Sequence, residues 1–185
     1  MNLVEYLELC GIIIVVKICR ILLRRRAICD FENTEVDKMI AIGSDHGGYE
    51  LKKIIIEELK DFDFKDYGTF STDSVDYPDI AIPLAEDVAN GKCDRGILVC
   101  RSGIGMDIMA NKVKGVRAAL CFNAKMAEMA KRHEDANIIT IGADYVTKEE
   151  AIDIVKSWIK SEFEGERHQR RIDKIKQYEE KNKIF

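Results

Sequence analysis

Gly96-Ile97-Leu98-Val99-Cys100-Arg101-Ser102-Gly103-Ile104-Gly105 is the stretch on which the reading of this chain turns. Its apolar first half reads as a buried strand, and Met106 to Lys112 reads as the first turns of a helix. The small, glycine-rich turn between them leaves backbone N–H groups aimed at one spot, at a helix N-terminus where negative charge is stabilised. A thiol, Cys100, opens that turn, and a hydroxyl, Ser102, follows two residues later. An anion cradle with a potential base and a proton carrier beside it points to proton transfer through a negatively charged intermediate, and so to an enzyme.

Outward from this turn the pattern repeats. Met39 to Gly43 is a short apolar run that ends in Ser44-Asp45-His46-Gly47-Gly48, and Tyr49 to Lys60 carries Leu51, Ile54, Ile55 and Leu59 at helical spacing. Further strands are expected at Phe64–Tyr67, Val116–Cys121 and Ile138–Ile141, with helices at Ala124–Arg132 and Lys148–Lys160. Pro78 suits a first helical turn in a helix running to about Asn90, and Pro83 should kink it or delay its start. Strands alternating with helices predict an α/β fold, a three-layer Rossmann-like (flavodoxin-like) parallel sheet with helices on both faces. Such sheets bind ligands where loops leave the carboxyl ends of the strands. The Asp45-His46, Cys100–Gly105 and His133 loops are all expected at that edge. The tail from Glu164 to Lys183 is charged, with a narrow stripe of Ile172, Ile175 and Tyr178, and is expected to be a helix lying on a neighbouring subunit.

The totals narrow the classes. At 185 residues the chain suits one full-cored domain, and 46% hydrophobic with 34% charged residues is ordinary for a soluble protein. A net charge of -4 favours neither nucleic acid nor an acidic membrane as partner. The six cysteines form no C-x-x-C pair, which argues against a zinc site or a disulfide scaffold and fits a reducing cytosol. Residues 1–38 differ from the rest: Gly11 to Val16 is strongly apolar, but Lys17 and Arg20 break the run and Arg24-Arg25-Arg26 closes it. That is too short to span a bilayer, and its charge lies on the wrong side for a secretory signal. It is expected to be an N-terminal extension or a start-site artefact, ahead of a domain over 39–185.

Each candidate has a plainer alternative. Cys100 could be a buried strand-end cysteine, but a turn rich in N–H donors lowers a thiol's pKa. Ser102 also suits a helix cap, and Asp45 could cap the helix after it. Asp45 beside His46 equally makes an acid/base or hydroxyl-binding pair. His133, at a helix end, could be a C-terminal cation. Arg167, Arg170 and Arg171 share a helix face whose guanidinium forks match phosphate, or form a solvated face.

Taken together these motifs resemble the ribose-5-phosphate isomerase B and galactose-6-phosphate isomerase subunit family. The matching segments are Ile42 to Lys52, Asp76-Tyr77-Pro78, Cys100 to Gly105, Ala110-Asn111-Lys112, Gly115 to Ala118, His133 to Asn137 and Arg167 to Arg171, in order from Met39 almost to the C-terminus. The resemblance implies aldose–ketose isomerisation of a sugar phosphate through a cis-enediolate, without metal or cofactor. By position it makes Cys100 the base, Ser102 the carrier of the hydroxyl proton, and the N–H groups of Ser102, Gly103, Ile104 and Gly105 the enediolate cradle. It associates Asp45 and His133 with opening the furanose ring. It places His46, Tyr77, Asn111, Arg167 and Arg171 on the substrate, and it implies homodimers or homotetramers with shared active sites. Ribose 5-phosphate is the expected substrate; an allose- or galactose-type hexose 6-phosphate, or a non-catalytic sugar-phosphate-binding module, are the alternatives. Arg101, Glu134 and Asp144 depart from the family pattern, which has Gly, Asn and Arg there.

Overall fold

Three strands without charged side chains beyond their first residues form the middle of the sheet, and they are in the middle because both of their faces are covered. The computed structural model describes residues 39–181, so the extension expected over 1–38 lies outside the described residues. The central strands are β1 (Ile40–Ser44), β3 (Arg95–Cys100) and β5 (Ile138–Gly142). The short β2 (Phe64–Asp66) and β4 (Ala118–Leu120) close the edges. Every neighbouring pair is parallel, in the order β2-β1-β3-β5-β4. A flavodoxin-like sheet would place its strands in the order 2-1-3-4-5; here the last two are exchanged. The reason lies in composition: β5 is Ile-Ile-Thr-Ile-Gly and buried throughout, whereas Ala118-Ala119-Leu120 is only half-buried and tolerates an edge.

The helices are α1 (Tyr49–Glu58), α2 (Tyr77–Ala89), α3 (Ile104–Ala110), α4 (Ala124–Glu134), α5 (Lys148–Lys160) and α6 (Glu166–Lys181). Alternation along the strands sorts them into two layers. Ile40, Ile42, Ile97, Val99, Ile139 and Ile141 point to one face, where α1, α4 and α5 cover them through Leu51, Ile55, Ala127, Ala151, Ile154 and Trp158. Ala41, Leu98, Cys100 and Ile138 point to the other, under Ala81, Leu84 and Val88 of α2 and Met106 and Ala110 of α3. The expected three layers are therefore present. Local signals set the helix starts: Asn123 Oδ1 accepts the Met126 N–H at 2.9 Å, and Thr147 with Glu150 forms a reciprocal capping box. Pro83 neither delays nor ends its helix; α2 begins at Tyr77, with Pro78 in the first turn, and runs through Pro83 to Ala89. Four buried residues of α2 hold it on the sheet, and that packing outweighs the lost hydrogen bond. Among the described residues no helix is long and apolar enough to cross a membrane.

One polar clamp braces the loop side. Lys52 is 1% exposed, and its ammonium donates to Asp66 Oδ1 at 2.6 Å, Asp66 Oδ2 at 2.9 Å and the Thr69 carbonyl at 2.7 Å. It ties α1 to β2 and to the loop that pairs with Ser44 through Gly68 and Thr69. Because Asp66 keeps some access to water, Lys52→Met should cost about 1.5–3 kcal/mol, the range for hydrogen bonds to charged groups, rather than the full penalty of a stranded buried charge. Lys53→Met, which removes an exposed partner of Glu50 and an ammonium 5.2 Å from the Tyr49 ring centroid, should cost less than about 1 kcal/mol. Urea unfolding of both variants measures the difference, and equal losses would show that the clamp contributes nothing special.

Candidate active site

The parallel ladder between β3 and β5 does not stop where the strands do. Ala143 N–H donates to the Cys100 carbonyl at 2.8 Å, and Asp144 N–H donates to the Arg101 carbonyl at 3.0 Å. The turn after β3 is thus pinned along the end of β5. Gly103, at φ +76°, reverses the chain into α3, and a Cβ there would lie 2.4 Å from Leu120 Cδ1 and 3.1 Å from the Gly142 nitrogen. Cys100, 5% exposed, accepts the Gly103 N–H on its sulfur at 3.1 Å. That donor suits an anionic sulfur. Ile104 N–H turns to Ser102 Oγ at 3.3 Å. Two of the N–H groups expected to converge on a bound anion are therefore directed to the thiol and the hydroxyl in this state.

The loop after β1 packs beside this turn, with Asp45 N–H on the Val99 carbonyl at 3.2 Å. Asp45 Oδ1 accepts from Gly47 at 2.9 Å and Gly48 at 3.0 Å, which closes the turn ahead of α1 without capping the helix, whose N-cap is Gly48, and that leaves its second oxygen available. His46 Nδ1 accepts the Val75 N–H at 3.3 Å, so its Nε2 carries the proton. The Tyr77 ring lies within 3.1 Å of the point where a Cβ on Gly105 would stand. The methylenes of Arg101 lie on Gly47, and its Nη1 is 3.6 Å from Asp144 Oδ2. Asp45, His46, Tyr77, Cys100, Ser102, Gly103, Ile104 and Gly105 thus share one edge, with Arg101 and Asp144.

His133 does not join them, contrary to the sequence expectation. It is the penultimate residue of α4, which runs back from the carboxyl edge, and β5 begins only at Ile138. A helix returning to a parallel strand must end at the amino edge, so His133 is on the far side of the sheet from Cys100 within one chain. There its ring stacks on His168, with centroids 4.3 Å apart and planes 13° apart. Glu164 Oε2 lies 3.7 Å from Nε2 of each ring. Arg132 holds Glu164 Oε1, with its Nε at 2.7 Å, and keeps that carboxyl below its ordinary range. Arg167 Nε donates to His168 Nε2 at 3.2 Å. Burial, then His133, Arg167 and Arg171, push His168 below the usual histidine range, and Arg171 follows Arg167 by one turn at the start of α6. Asn111 is at the amino edge too, its amide clasping the Ala118 backbone at 3.0 and 2.9 Å. An open groove of about 320 Å³ along α4 and β4, lined by Cys121, Met126 and Met129, ends at His133.

The sequence reading missed Glu164 and the inward side of His168. Their i, i+4 spacing was a signal, but Gly165 between them hid it, because α6 begins only at Glu166. His133, Glu164 and His168 are also a donor set for a metal, with ligand atoms all within 4.8 Å of one another.

Comparison with known proteins adds four findings. The family model described as Ribose/Galactose Isomerase matches residues 40–175. A curated relative, ribose-5-P isomerase B of Listeria innocua, is 42% identical over 146 residues, covering 78% of this chain and 99% of that protein. Among solved structures, ribose-5-phosphate isomerase B of Clostridium thermocellum matches with TM-score 0.76 and 49% identity, covering 78% of this chain and 99% of that one. The Mycoplasma genitalium enzyme with bound ribulose-5-phosphate matches with TM-score 0.74 and 48% identity, covering 77% of this chain and 96% of that one.

Two glycines separate backbone strain from clearance at the turn. Gly91 has φ +72° with nothing within 4 Å of an added Cβ, whereas Gly103 meets Leu120 and Gly142. Gly91→Ala should cost about 1–2 kcal/mol of stability and leave turnover intact. Gly103→Ala should cost roughly 1–3 kcal/mol more, for overpacking, and abolish most turnover. Thermal melts with parallel kinetics test this; identical behaviour of the two variants would remove the clearance argument.

Proposed function

This chain belongs to the ribose/galactose isomerase family, and on that footing we propose that it converts ribose 5-phosphate to ribulose 5-phosphate at a site built around Cys100. It is an aldose–ketose isomerase. The observation that carries the substrate is the likeness, at 48% identity, to a solved relative with ribulose-5-phosphate bound.

The chemistry follows from groups at both edges of the sheet. Asp45, with one oxygen free, and His133 open the furanose ring. Cys100 thiolate takes the proton from C2 of the open aldose, the electron pair forms the C1–C2 double bond, and O1 takes the negative charge. Backbone N–H groups of the Ser102–Gly105 turn stabilise that cis-enediolate. For this, the N–H groups now on the thiol and on Ser102 Oγ exchange partners as charge moves from sulfur to oxygen. Ser102 passes the O2 proton to O1, and the Cys100 thiol returns its proton to C1, leaving the carbonyl at C2. Arg167 and Arg171 hold the phosphate, with His46 beside it. No step consumes an external reductant or oxidant.

His133, Arg167 and Arg171 lie on the amino edge, and Cys100 on the carboxyl edge, of the same sheet. The reading therefore requires a second copy to bring one edge to the other, as in a homodimer with two shared sites. The open face of the tail helix suits that contact. Cys100→Ala and His133→Asn should each lower turnover by several orders of magnitude with folding intact. Mixed after dissociation, the two inactive proteins should regain about a quarter of wild-type activity, since half of randomly paired dimers carry one intact site of two. Mixtures that stay inactive despite subunit exchange would show the site is not shared. Binding of ribose 5-phosphate with full turnover in Cys100→Ala would sink the role of the thiol.

Arg101 and Asp144 stand as an ion pair beside the thiol turn, although both are well exposed and the contact is long. We read them as compensating changes in which Arg101 supplies part of the cationic role that an Arg at 144 would have. Arg101→Gly should then raise KM for ribose 5-phosphate by about tenfold, one lost contact to a charged group. Adding Asp144→Arg should restore most of it. Kinetics with ribose 5-phosphate and a hexose 6-phosphate separate this from a change of sugar preference, which would appear as a reversed substrate ratio in the double variant.

A further inference from the structure

His168 is a buried histidine to which the proposed chemistry gives no task. It is 2% exposed, and its Nδ1 is buried without a hydrogen-bond partner. With Nε2 accepting a hydrogen bond from Arg167, Nδ1 carries the proton, so a donor is buried with no acceptor. Such a group costs stability, and an apolar ring in its place would not. Its presence calls for a reason outside stability.

Two contacts supply that reason. The imidazole lies flat against His133, with centroids 4.3 Å apart and planes 13° from parallel. Its Nε2 accepts the Arg167 Nε–H at 3.2 Å. We propose that His168 is a positioning residue that holds the His133 ring and the Arg167 guanidinium in register for one substrate. This rests on the roles proposed above for His133 and Arg167.

Chain connectivity leaves that register open. His133 lies at the end of α4 and Arg167 at the start of α6, so no single element fixes their spacing. Backbone bonds seat only the link between the helices: Glu164 N–H donates to the Arg132 carbonyl at 3.0 Å, and His168 N–H to the Gly165 carbonyl at 2.9 Å. The Arg167 side chain is exposed and that of His133 is 30% exposed, so both keep rotamer freedom that a packed neighbour removes. His168 is that neighbour. Its bond to Nε leaves both Nη nitrogens of Arg167 for the phosphate, a pair of donors that matches two oxygens. A charged ring would lose the Nε2 lone pair and repel Arg167; burial first, then His133, Arg167 and Arg171, hold His168 below the usual histidine range against Glu164. The same contacts set the cluster apart from a metal site, since stacked rings do not converge and Arg167 already occupies His168 Nε2.

Three substitutions in the full chain separate the two contacts. His168→Phe keeps a flat ring against His133 and removes the acceptor for Arg167. His168→Gln keeps an acceptor and removes the ring, and His168→Met, of similar length, removes both. With ribose 5-phosphate, His168→Phe should raise KM about tenfold and leave kcat within about twofold of wild type. His168→Gln should lower kcat about tenfold or more with KM little changed. His168→Met should show both defects. Inorganic phosphate as a competitive inhibitor reads Arg167 alone: its inhibition constant should rise about tenfold in His168→Phe and His168→Met and stay near wild type in His168→Gln. In an Arg167→Ala background, His168→Phe should add little to KM. Urea unfolding controls for folding, and His168→Phe should be no less stable than wild type because it removes the unpaired N–H. The same loss in all three variants, or losses that follow stability alone, overturns the proposal, and so does full activity in His168→Met. If wild-type protein fails to turn over ribose 5-phosphate, the functional reading fails, while calorimetry with inorganic phosphate on the wild type and the three variants still decides whether His168 positions Arg167.

Discussion

Everything at the carboxyl edge depends on how closely the turn after β3 lies against the end of β5. A Cβ on Gly142 would come within 2.6 Å of the Ser102 carbonyl oxygen, and one on Gly103 within 2.4 Å of Leu120. Two glycines facing each other let the backbone hydrogen bonds of the sheet continue past the strands, through Ala143 to Cys100 and Asp144 to Arg101. That continuation fixes the backbone at Cys100 and Arg101, and the Gly103 N–H meets the Cys100 sulfur. The thiol is held by backbone geometry and owes little to its side-chain neighbours. Rigid placement of this kind suits the role of base proposed above for Cys100.

The second constraint is the parallel sheet itself. In such a sheet every helix returns to the opposite edge, so residues at helix ends and residues at strand ends are kept apart within one chain. The thiol turn is a strand end, while His133 is a helix end and Arg167 opens α6 beyond the end of α5. The isomerisation proposed above draws on both sets, and on that reading it unites two chains. Near the thiol turn, Ile104 and Ile108 of α3 are each more than half exposed.

Charge is arranged differently at the two edges. At the amino edge Arg132, Arg167 and Arg171 accompany one carboxylate and two imidazoles, and burial first, then His133, Arg167 and Arg171, push His168 below the usual histidine range against the pull of Glu164. At the carboxyl edge the anionic groups Asp45 and Asp144 balance Arg101 and the N–H donors of the turn. Cys121, near the thiol turn but on the opposite face of the sheet, shows what plain burial does to a thiol: desolvation, reinforced by the charge of Asp107, pushes it up to about 12. Cys100 has instead the Gly103 N–H on its sulfur.

Much of this was legible in the sequence. Apolar runs ending in Ser44-Asp45-His46 and in Cys100-Arg101-Ser102 announce parallel strands with functional loops, because the signal is local: period, length and the small residues that follow. The layers follow from the same alternation, and the motifs that carried the family resemblance are contiguous segments. The strand order was not legible, since the exchange of β4 and β5 is settled by which strand both faces of the core cover best, a comparison across the whole chain. Pro83 read as a breaker because local propensity opposes it, and four buried contacts elsewhere in α2 overrode that preference. The partners of His133 were hidden for the same reason: Glu164 and His168 lie about thirty residues beyond it and meet it only where α4 ends beside the start of α6. Residue types, strands and the thiol turn belong to the sequence because near neighbours determine them. Which edge each group occupies belongs to the tertiary structure, because the direction of a returning helix, fixed only when the sheet assembles, decides it.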